Sequence, residues 1–512
     1  MPRYAAIDVG SNSIRMEAAE LTPGTEPKIL ASDREVTRLG ESVFRTGRLS
    51  EEAMQLACTV LARMAAKIKT LDVVGARAVA TSSVRDARNQ AEFLARASEA
   101  AGVPVEVVSG REEARLIHLG VRTRWPNAGH SLLMVDIGGG SAEIIRSEGG
   151  HVREAVSKPL GAIRLKEIFL TADPPAERQL HQMREYIEER LAGAVRRFGH
   201  DRYDRAIATS ATAAAVVCAV NGVPRPRRDG ADRLRASTLQ VQRLFRRIRG
   251  LDLAHRRRVP GVGPRRAEII VSGTAVLLHV LEAFRLPSVY YSAAGVRDGI
   301  IADLALRGVG RELWTLSRDE RVEVEKMSVR CGVSREHVRA VASYVEQLFH
   351  CLLPLHQLPP VYCRLLEAAA YLHDTGHLIS DSSHHKHSYY IVANSDMPGF
   401  TAHERAFIAN LCRYHRKVMP AADHTNNQGL NAEEKRALTL LIPLLRLADN
   451  LDRSKTQRVS SIECAVRDGG ITLQLASKQD INLELWAAER VSDLFQTVYG
   501  RPLVLGRVAR TS

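Results

Sequence analysis

The chain has 512 residues, 45% apolar and 25% charged, an ordinary globular composition and enough for three or four domains at roughly 150 residues each. Its 72 basic against 58 acidic residues leave a formal charge of +14, which points to a polyanionic or phosphorylated partner. Seven cysteines with no C-x-x-C pair argue against a zinc ribbon, a thioredoxin-like centre or a secreted disulfide framework. The start Met1-Pro2-Arg3-Tyr4 lacks a signal-peptide core and no run of about 18 apolar residues follows, so a cytoplasmic location is expected, with at most peripheral contact with a membrane.

The first informative segment, Ala5 to Met16, is an apolar strand ending in Asp8-Val9-Gly10, a small polar turn and a second alternating strand. Leu133 to Ile144 repeats that design around Asp136-Ile137-Gly138, which predicts two related lobes. Between them, Glu51–Thr70 and Asn89–Ala101 read as amphipathic helices, with short strands over Val73–Ala80 and Val103–Val108. Helix and strand signals continue through Asp201–Thr209 and Glu268–Phe284 to Ser288–Ala293. The stretch Arg225–Arg266, with fourteen arginines against three aspartates, reads as loop, helix and loop on the surface. From about Arg311 to Leu451 the period is helical with histidines interspersed; the tail from about Arg458 reads strand, strand, helix, strand.

An aspartate at a strand end, followed by glycine and small hydroxyl residues, suits a phosphate site. Glycine lets the backbone turn tightly with N–H groups free to donate, and the carboxylate can hold a hard divalent cation. Opposite arms of the second hairpin would bring Asp136 and Glu143 to one mouth. Either turn alone is explained by an ordinary satisfied aspartate; the pair favours phosphate. Ser109 has capping-box spacing to Glu112, which accounts for Glu112 but leaves Glu113 free to act as a base.

In chain order, Asp8–Arg15 (DVGSNSIR), Ser82–Asn89 (SSVRDARN), Ser109–Ile117 (SGREEARLI), Asp136–Glu143 (DIGGGSAE), Arg256–Gly273 (RRRVPGVGPRRAEIIVSG) and Gly295–Gly299 (GVRDG) resemble the exopolyphosphatase/guanosine pentaphosphate phosphohydrolase (Ppx/GppA) family. The resemblance implies an α/β, two-lobed, actin-like (ASKHA, ribonuclease H-like) hydrolase with its active site between lobe I (1–125) and lobe II (126–308). It implies Mg²⁺-assisted removal of terminal phosphate from inorganic polyphosphate, or from guanosine penta- or tetraphosphate, by a homodimer, with nucleic acid not expected as a partner. Glu113 matches the base that activates water, and Asp136 and Glu143 match the metal-side carboxylates. Gly138, Gly139, Gly140 and Ser141 match the phosphate loop; Asp8, Ser11, Asn12, Ser13 and Arg15 match the first loop; Arg85 matches a phosphate-facing arginine. Thr212 belongs with a third loop, where Thr209-Ser210-Ala211-Thr212 replaces the family's usual Gly-Thr, and Glu268 stands where Asp is frequent. Arg246 and Arg247 are expected on a basic surface that guides a polymer. A rival class is a sugar-kinase-like phosphotransferase; another is a non-catalytic polyphosphate binder.

In the C-terminal half, His373-Asp374 resembles the signature of HD-domain metal phosphohydrolases. With His337 before it and Asp449 after it, a set of two histidines and two aspartates could converge on one divalent metal in an all-α HD-like domain (309–455), and His387 and His415 could bind phosphate nearby. The remaining residues, 456–512, are expected to form a small α/β appendage.

Overall fold

The computed structural model describes residues 1–21, 27–41, 43–199, 202–307, 314–421, 423–467 and 469–508. The chain divides into two compact units, Met1–Arg311 and Glu312–Ser512. Among the described residues no helix is long and apolar enough to cross a membrane.

The repeated hairpins seed two sheets of one design. The first contains β1 (Arg3–Val9), β2 (Ile14–Glu20), β3 (Lys28–Glu35), β4 (Gly75–Ala80) and β5 (Val105–Val107), in the order β3-β2-β1-β4-β5. The second contains β6 (Ser131–Ile137), β7 (Ala142–Glu148), β8 (His151–Lys158), β9 (Arg205–Thr209), β10 (Arg235–Ser237) and β11 (Ser288–Tyr291). Its order β10-β11-β9-β6-β7-β8, read from β8, repeats the first sheet and adds the short edge strand β10. In both, a three-stranded antiparallel meander precedes two parallel strands. This is the two-lobed actin-like architecture, each lobe ribonuclease H-like.

Parallel strands buried on both faces read as continuous apolar runs, and β1 and β6 share the burial pattern that this produces. One face of the first sheet packs Ile7, Val9, Ile14 and Met16 against Leu61, Met64 and Phe93. One face of the second packs Leu133, Val135 and Ile144 against Leu191, Phe198 and Leu281. The helix Gly110–Arg124 lies between the remaining faces. Leu116 packs with Tyr4, Ala6 and Val79 of lobe I, while Ala114, Ile117 and Val121 pack with Met134, Ile145 and Ile207 of lobe II.

The helix Val296–Arg307 crosses it at backbone distance. A Cβ on Gly299 would stand 1.8 Å from the Leu116 carbonyl oxygen, so only glycine permits the crossing. Ile300 and Ile301 of this helix pack with Tyr4 and Ala6 of the first sheet; residue 308, where the sequence reading ends lobe II, lies outside the described residues.

Buried ion pairs lock the crossing. Asp303 receives Arg115 Nη2 at 2.8 Å, Arg307 Nε at 2.9 Å and Arg77 Nη1 at 3.0 Å, and Glu112 takes Arg115 Nε at 2.7 Å. Burial alone would raise the Asp303 carboxyl, but Arg115, Arg307 and Arg77 hold it well below the usual carboxylate range. Ser109 caps the helix by accepting from Glu112 N, as its spacing predicts, while the Glu112 carboxylate serves this network.

In the second unit the helices Arg318–Arg330, Arg335–His356, Val361–Leu372, His384–Asn394, Ala402–Tyr414 and Ala432–Asn450 precede β12 (Ser461–Arg467), β13 (Gly470–Ala476) and β14 (Leu503–Val508). One apolar core runs from Val338 and Phe349 through Leu441 to Ile471, Leu473 and Phe495, so the tail strands share the helices' core. Two helices, Asn482–Glu489 and Ser492–Tyr499, stand where the sequence suggested one. A disulfide joins Cys351 to Cys464, a pairing that motif spacing does not reveal.

Asp303→Ala strands three guanidinium groups around a missing carboxylate. Breaking a buried pair in this way costs about 3–5 kcal/mol, to be read from urea denaturation of the full chain. A loss below about 1 kcal/mol, typical of an exposed pair, would show that the network does not secure the crossing.

Candidate active site

Strand register builds the site. In lobe I, Asp8 of β1 pairs with Arg15 of β2, and Arg15 with Arg34 of β3. In lobe II, Asp136 of β6 pairs with Glu143 of β7, and Glu143 with Ser157 of β8. Directly paired residues point to one face, so each lobe carries a row of polar side chains across three strands at the end of its hairpin. The rows are pseudo-equivalent in backbone and opposite in charge.

A cleft of about 460 Å³ lies between the lobes, lined by Asp8, Ser11, Asn12, Ser13 and Arg15 from the first loop and by Asp136, Gly138, Gly139 and Ser141 from the second. Glu113 lines it as well, at 7% exposure. The two loops touch: a Cβ on Gly139 would stand 2.8 Å from Ser11 Cβ and 3.6 Å from Asn12 N. The paired turns therefore face each other with Glu113 at their junction, the arrangement that the sequence reading required.

Four carboxylates share this space. Desolvation, then the negative charge of Glu113, pushes Asp136 up to about 7. Desolvation and Asp136 together push Glu143 up to about 7, against the hydrogen bond donated by Ser157 Oγ at 2.7 Å. Glu113 is raised well above the ordinary glutamate range by desolvation and Glu143, with Arg85 opposing. Asp8 is raised by desolvation, opposed by Arg15 and Arg297. Glu143 Oε2 is buried with no hydrogen-bond partner. Oxygen donors alone, crowded together with their proton affinities raised by desolvation and mutual repulsion, fit a hard divalent cation such as Mg²⁺.

Facing them is a cluster of guanidinium groups, most of which sequence reasoning missed. Arg34, Arg228, Arg266 and Arg297 line the cleft with Arg15. Desolvation and mutual repulsion depress Arg34 and Arg266 to about 9, so both stay charged at neutral pH while repelling one another. A side pocket of about 130 Å³ shares Asn12, Arg34, Arg228 and Arg266 with the cleft and adds Arg225 and Arg265. The signals were present in part: Arg297 lies inside the GVRDG motif, and Arg34 follows Arg15 by strand register once β3 is recognised.

Several expected residues take other places. Arg85 donates to the Val108 carbonyl oxygen at 2.7 Å and pairs with Glu113 Oε2 at 3.4 Å, so it faces the candidate base. Glu143 stands behind Asp136, fully buried, outside the cleft lining. Gly140 packs on lobe I, where a Cβ would meet Phe44 and Ser82 Oγ at 2.4 Å. Thr212 is fully buried, and Ser210 and Ala211 line the cleft in its stead. Ser210 adopts a φ of 86°, a strained value for a non-glycine residue, with its Oγ accepting from Thr212 N at 3.2 Å. Arg246 and Arg247 are exposed on the helix Thr238–Arg249, away from the cleft lining. The arginine-rich span is thus only partly a surface feature: Arg228 and Arg266 point inward and Arg256 is buried. Glu268 pairs with Arg38 at 3.4 Å.

In the second unit, His337, His373, Asp374 and Asp449 do converge, their ligand atoms lying within 4.8 Å of one another. Asp374 forms a second such group with His377 and His384, neither expected from the sequence. His415 joins them through His384 Nε2 at 3.2 Å, whereas among the described residues no hydrogen bond or ion pair brings His387 to the group.

Comparison with known proteins agrees with this geometry. The Ppx/GppA phosphatase family pattern matches residues 18–308, and its domain III pattern matches residues 320–489. A relative from Vibrio vulnificus (strain YJ016), named guanosine-5'-triphosphate,3'-diphosphate pyrophosphatase, is 25% identical over 98% of both chains. The crystal structure of the Aquifex aeolicus Ppx/GppA family member is 29% identical, with a TM-score of 0.53 over 60% of this chain and 98% of that one. An exopolyphosphatase from Cytophaga hutchinsonii ATCC 33406, 24% identical, shares the fold with a TM-score of 0.55 over 60% of this chain and 99% of its own. With matched family patterns over both compact units and the cleft assembled from the motif residues, the chain belongs to the Ppx/GppA phosphatase family, hydrolases of phosphoanhydride bonds.

Proposed function

We propose that the chain is an exopolyphosphatase, which removes the terminal phosphate of inorganic polyphosphate. The observation that carries this reading is the run of guanidinium groups from Arg15 and Arg34 through Arg228 and Arg266 to Arg225 and Arg265, continuous from cleft to side pocket. A chain with about one negative charge per phosphate can occupy it along its length.

Hydrolysis of a phosphoanhydride needs a base, an in-line water and positive charge on the phosphoryl oxygens. Glu113 Oε takes one proton from the water, whose oxygen forms a bond to the terminal phosphorus as the bridging P–O bond breaks. Orthophosphate leaves, and the polymer, shorter by one unit, keeps the bridging oxygen. Its raised proton affinity makes Glu113 a stronger base than an exposed glutamate, and Arg85 at 3.4 Å limits how far it rises. Arg15, Arg34, Arg266 and Arg297 hold non-bridging oxygens, joined by the backbone amides of Ser11, Asn12, Ser13, Gly139 and Ser141, while the Gly10 and Gly138 amides close the turns by donating to Ser13 and Ser141. A divalent cation, held by Asp136 with Glu143 behind it, supplies further positive charge when bound. A second reading, hydrolysis of guanosine pentaphosphate, is favoured by the full-length likeness to the Vibrio vulnificus pyrophosphatase. Phosphate release from long polyphosphate, tripolyphosphate and guanosine pentaphosphate, measured in parallel, separates the two; faster turnover of the nucleotide would replace the first reading by the second.

Glu113→Gln should lower turnover by about 10²–10⁴-fold while long polyphosphate still binds. Turnover within a factor of two of the parent removes Glu113 from the mechanism.

Asp136 and Glu143 have folded-state values raised to about 7, so their protonated forms stabilise the metal-free fold below the unfolded values near 4. That contribution is lost as pH rises through about 7, where a cation replaces the protons. The rise in Tm on adding Mg²⁺ should therefore be larger at pH 8 than at pH 6, as calorimetry can test. An equal rise at both would show that these carboxylates do not exchange protons for metal.

Removing Arg225 and Arg265 together should weaken binding of long polyphosphate more than of tripolyphosphate. The salt dependence should flatten by roughly one unit of slope per lost phosphate contact. Arg246→Ala with Arg247→Ala should change neither; the opposite pattern would move the track to the exposed helix.

A further inference from the structure

We infer that Arg164 is a positioning residue for the hydrolysis: seated on lobe I, it holds the Gly140 carbonyl oxygen and thereby turns the Ser141 amide into the cleft. That role rests on the reading of the cleft as a hydrolase of phosphoanhydride bonds and holds for either substrate.

The phosphate loop is oriented through its carbonyl groups. The helix Ala162–Phe169 docks end-on behind it: Ala162 N donates to the Gly138 oxygen at 3.0 Å, and Ile163 N and Arg164 N donate to the Gly139 oxygen at 2.9 and 3.1 Å. The approach is at backbone distance, since a Cβ on Gly161 would stand 2.3 Å from that same Gly139 oxygen. The next carbonyl oxygen, that of Gly140, takes a side chain instead and receives Arg164 Nε at 2.6 Å. In a trans peptide the C=O and the following N–H point in opposite directions. Fixing the Gly138 and Gly140 oxygens on the helix side therefore turns the Gly139 and Ser141 amides to the other, where both residues line the cleft. Among the described residues no backbone oxygen takes either amide.

What sets the Gly140 bond apart is its donor. A backbone amide is fixed by its helix, whereas a side chain must be held by something else, and here the holder is lobe I. The Arg164 guanidinium carbon lies 4.0 Å from the centre of the Phe44 ring, a cation–π contact, and Nη2 donates to the Asp86 carboxylate. Phe44 and Asp86 belong to the short helices Val43–Thr46 and Ser82–Asp86. With Nε on the loop and Nη2 on Asp86, the planar guanidinium spans the two lobes in one geometry and is largely buried. Asp86 directly follows Arg85, which pairs with Glu113. One side chain thus sets the amide that meets a phosphoryl oxygen in register with the segment that steadies the base. The bond that orients Ser141 is complete only where the lobes meet.

An amide aimed at charge that develops in the transition state acts on kcat more than on substrate binding. In the full chain, Arg164→Ala should lower kcat by about 10²–10³-fold, the loss that follows removal of one such donor. KM for long polyphosphate should change by less than about threefold, because the guanidinium cluster that binds it is untouched. Inhibition by vanadate, which mimics the five-coordinate phosphoryl group, should weaken by a factor similar to the loss in kcat. Arg164→Lys keeps the charge but has no planar fork for both partners, so most of the loss should remain. Asp86→Asn, at a half-exposed side chain, should give a smaller loss of the same kind and carries the test should Arg164→Ala fail to fold. The loss should appear with whichever of polyphosphate and guanosine pentaphosphate the parent hydrolyses; phosphate release from neither overturns the reading of the cleft and this inference together. An active parent matched by Arg164→Ala within a factor of two, or a variant whose KM rises as kcat falls while vanadate inhibition stays unchanged, overturns the inference alone.

Discussion

Like charges gathered on each side of one cleft are the constraint on which the first unit depends. Asp8, Glu113, Asp136 and Glu143 repel one another, as do Arg15, Arg34, Arg228 and Arg266. Unit charges 4 Å apart interact by about 4 kcal/mol at an effective dielectric constant of 20, whereas water reduces this to about 1. Such a site is held apart from collapse by the scaffold around it, and its own charges favour an occupant: a cation for the carboxylates, a condensed anion for the guanidinium groups. A cation among the carboxylates and a condensed anion among the guanidinium groups would each offset that repulsion.

The scaffold meets that load through the helix Gly110–Arg124. Its two apolar faces join the sheets of both lobes, and the Gly299 crossing with the Asp303 pairs prevents it from sliding. Glu113 follows immediately on Glu112, one of the anchored residues. The candidate base is therefore positioned by a rigid element shared between the lobes and not by either loop, consistent with the need to hold a reacting group within a fraction of an ångström.

Much of this is legible in the sequence, and the misses have physical causes. The hairpins at Asp8 and Asp136 declare themselves because an apolar strand, a glycine turn and an alternating strand form a local pattern. Arg34 escapes because β3 is an edge strand whose mixed exposure carries no clean alternation. Gly140 and Gly139 are adjacent and chemically identical, yet one packs on Phe44 and the other lines the cleft, a distinction made by tertiary contact. Arginine density announces a polyanion without saying which guanidinium groups face inward, so Arg246 and Arg228 look alike until the chain folds. Likewise His373-Asp374 is a local signal, with His377 in the turn directly after it, but His384 and His415 join it from two further helices.

The repeated hairpin also explains how one backbone design serves two opposite tasks. Arg15 and Glu143 occupy the same position on the second strand of their meanders, each paired with the aspartate at the end of the first. In lobe I the arginine balances its aspartate and leaves a net site for anions. In lobe II the glutamate doubles the negative charge, and Ser157 adds only a hydroxyl where lobe I has Arg34. Had both lobes kept the Asp–Arg pair, the cleft would bind phosphate yet lack a cluster of oxygens able to fix a cation against it. Had both kept Asp–Glu, it would repel the substrate. Only the unequal pair sets a cluster of carboxylates against a cluster of guanidinium groups, with Glu113 lining the same cleft.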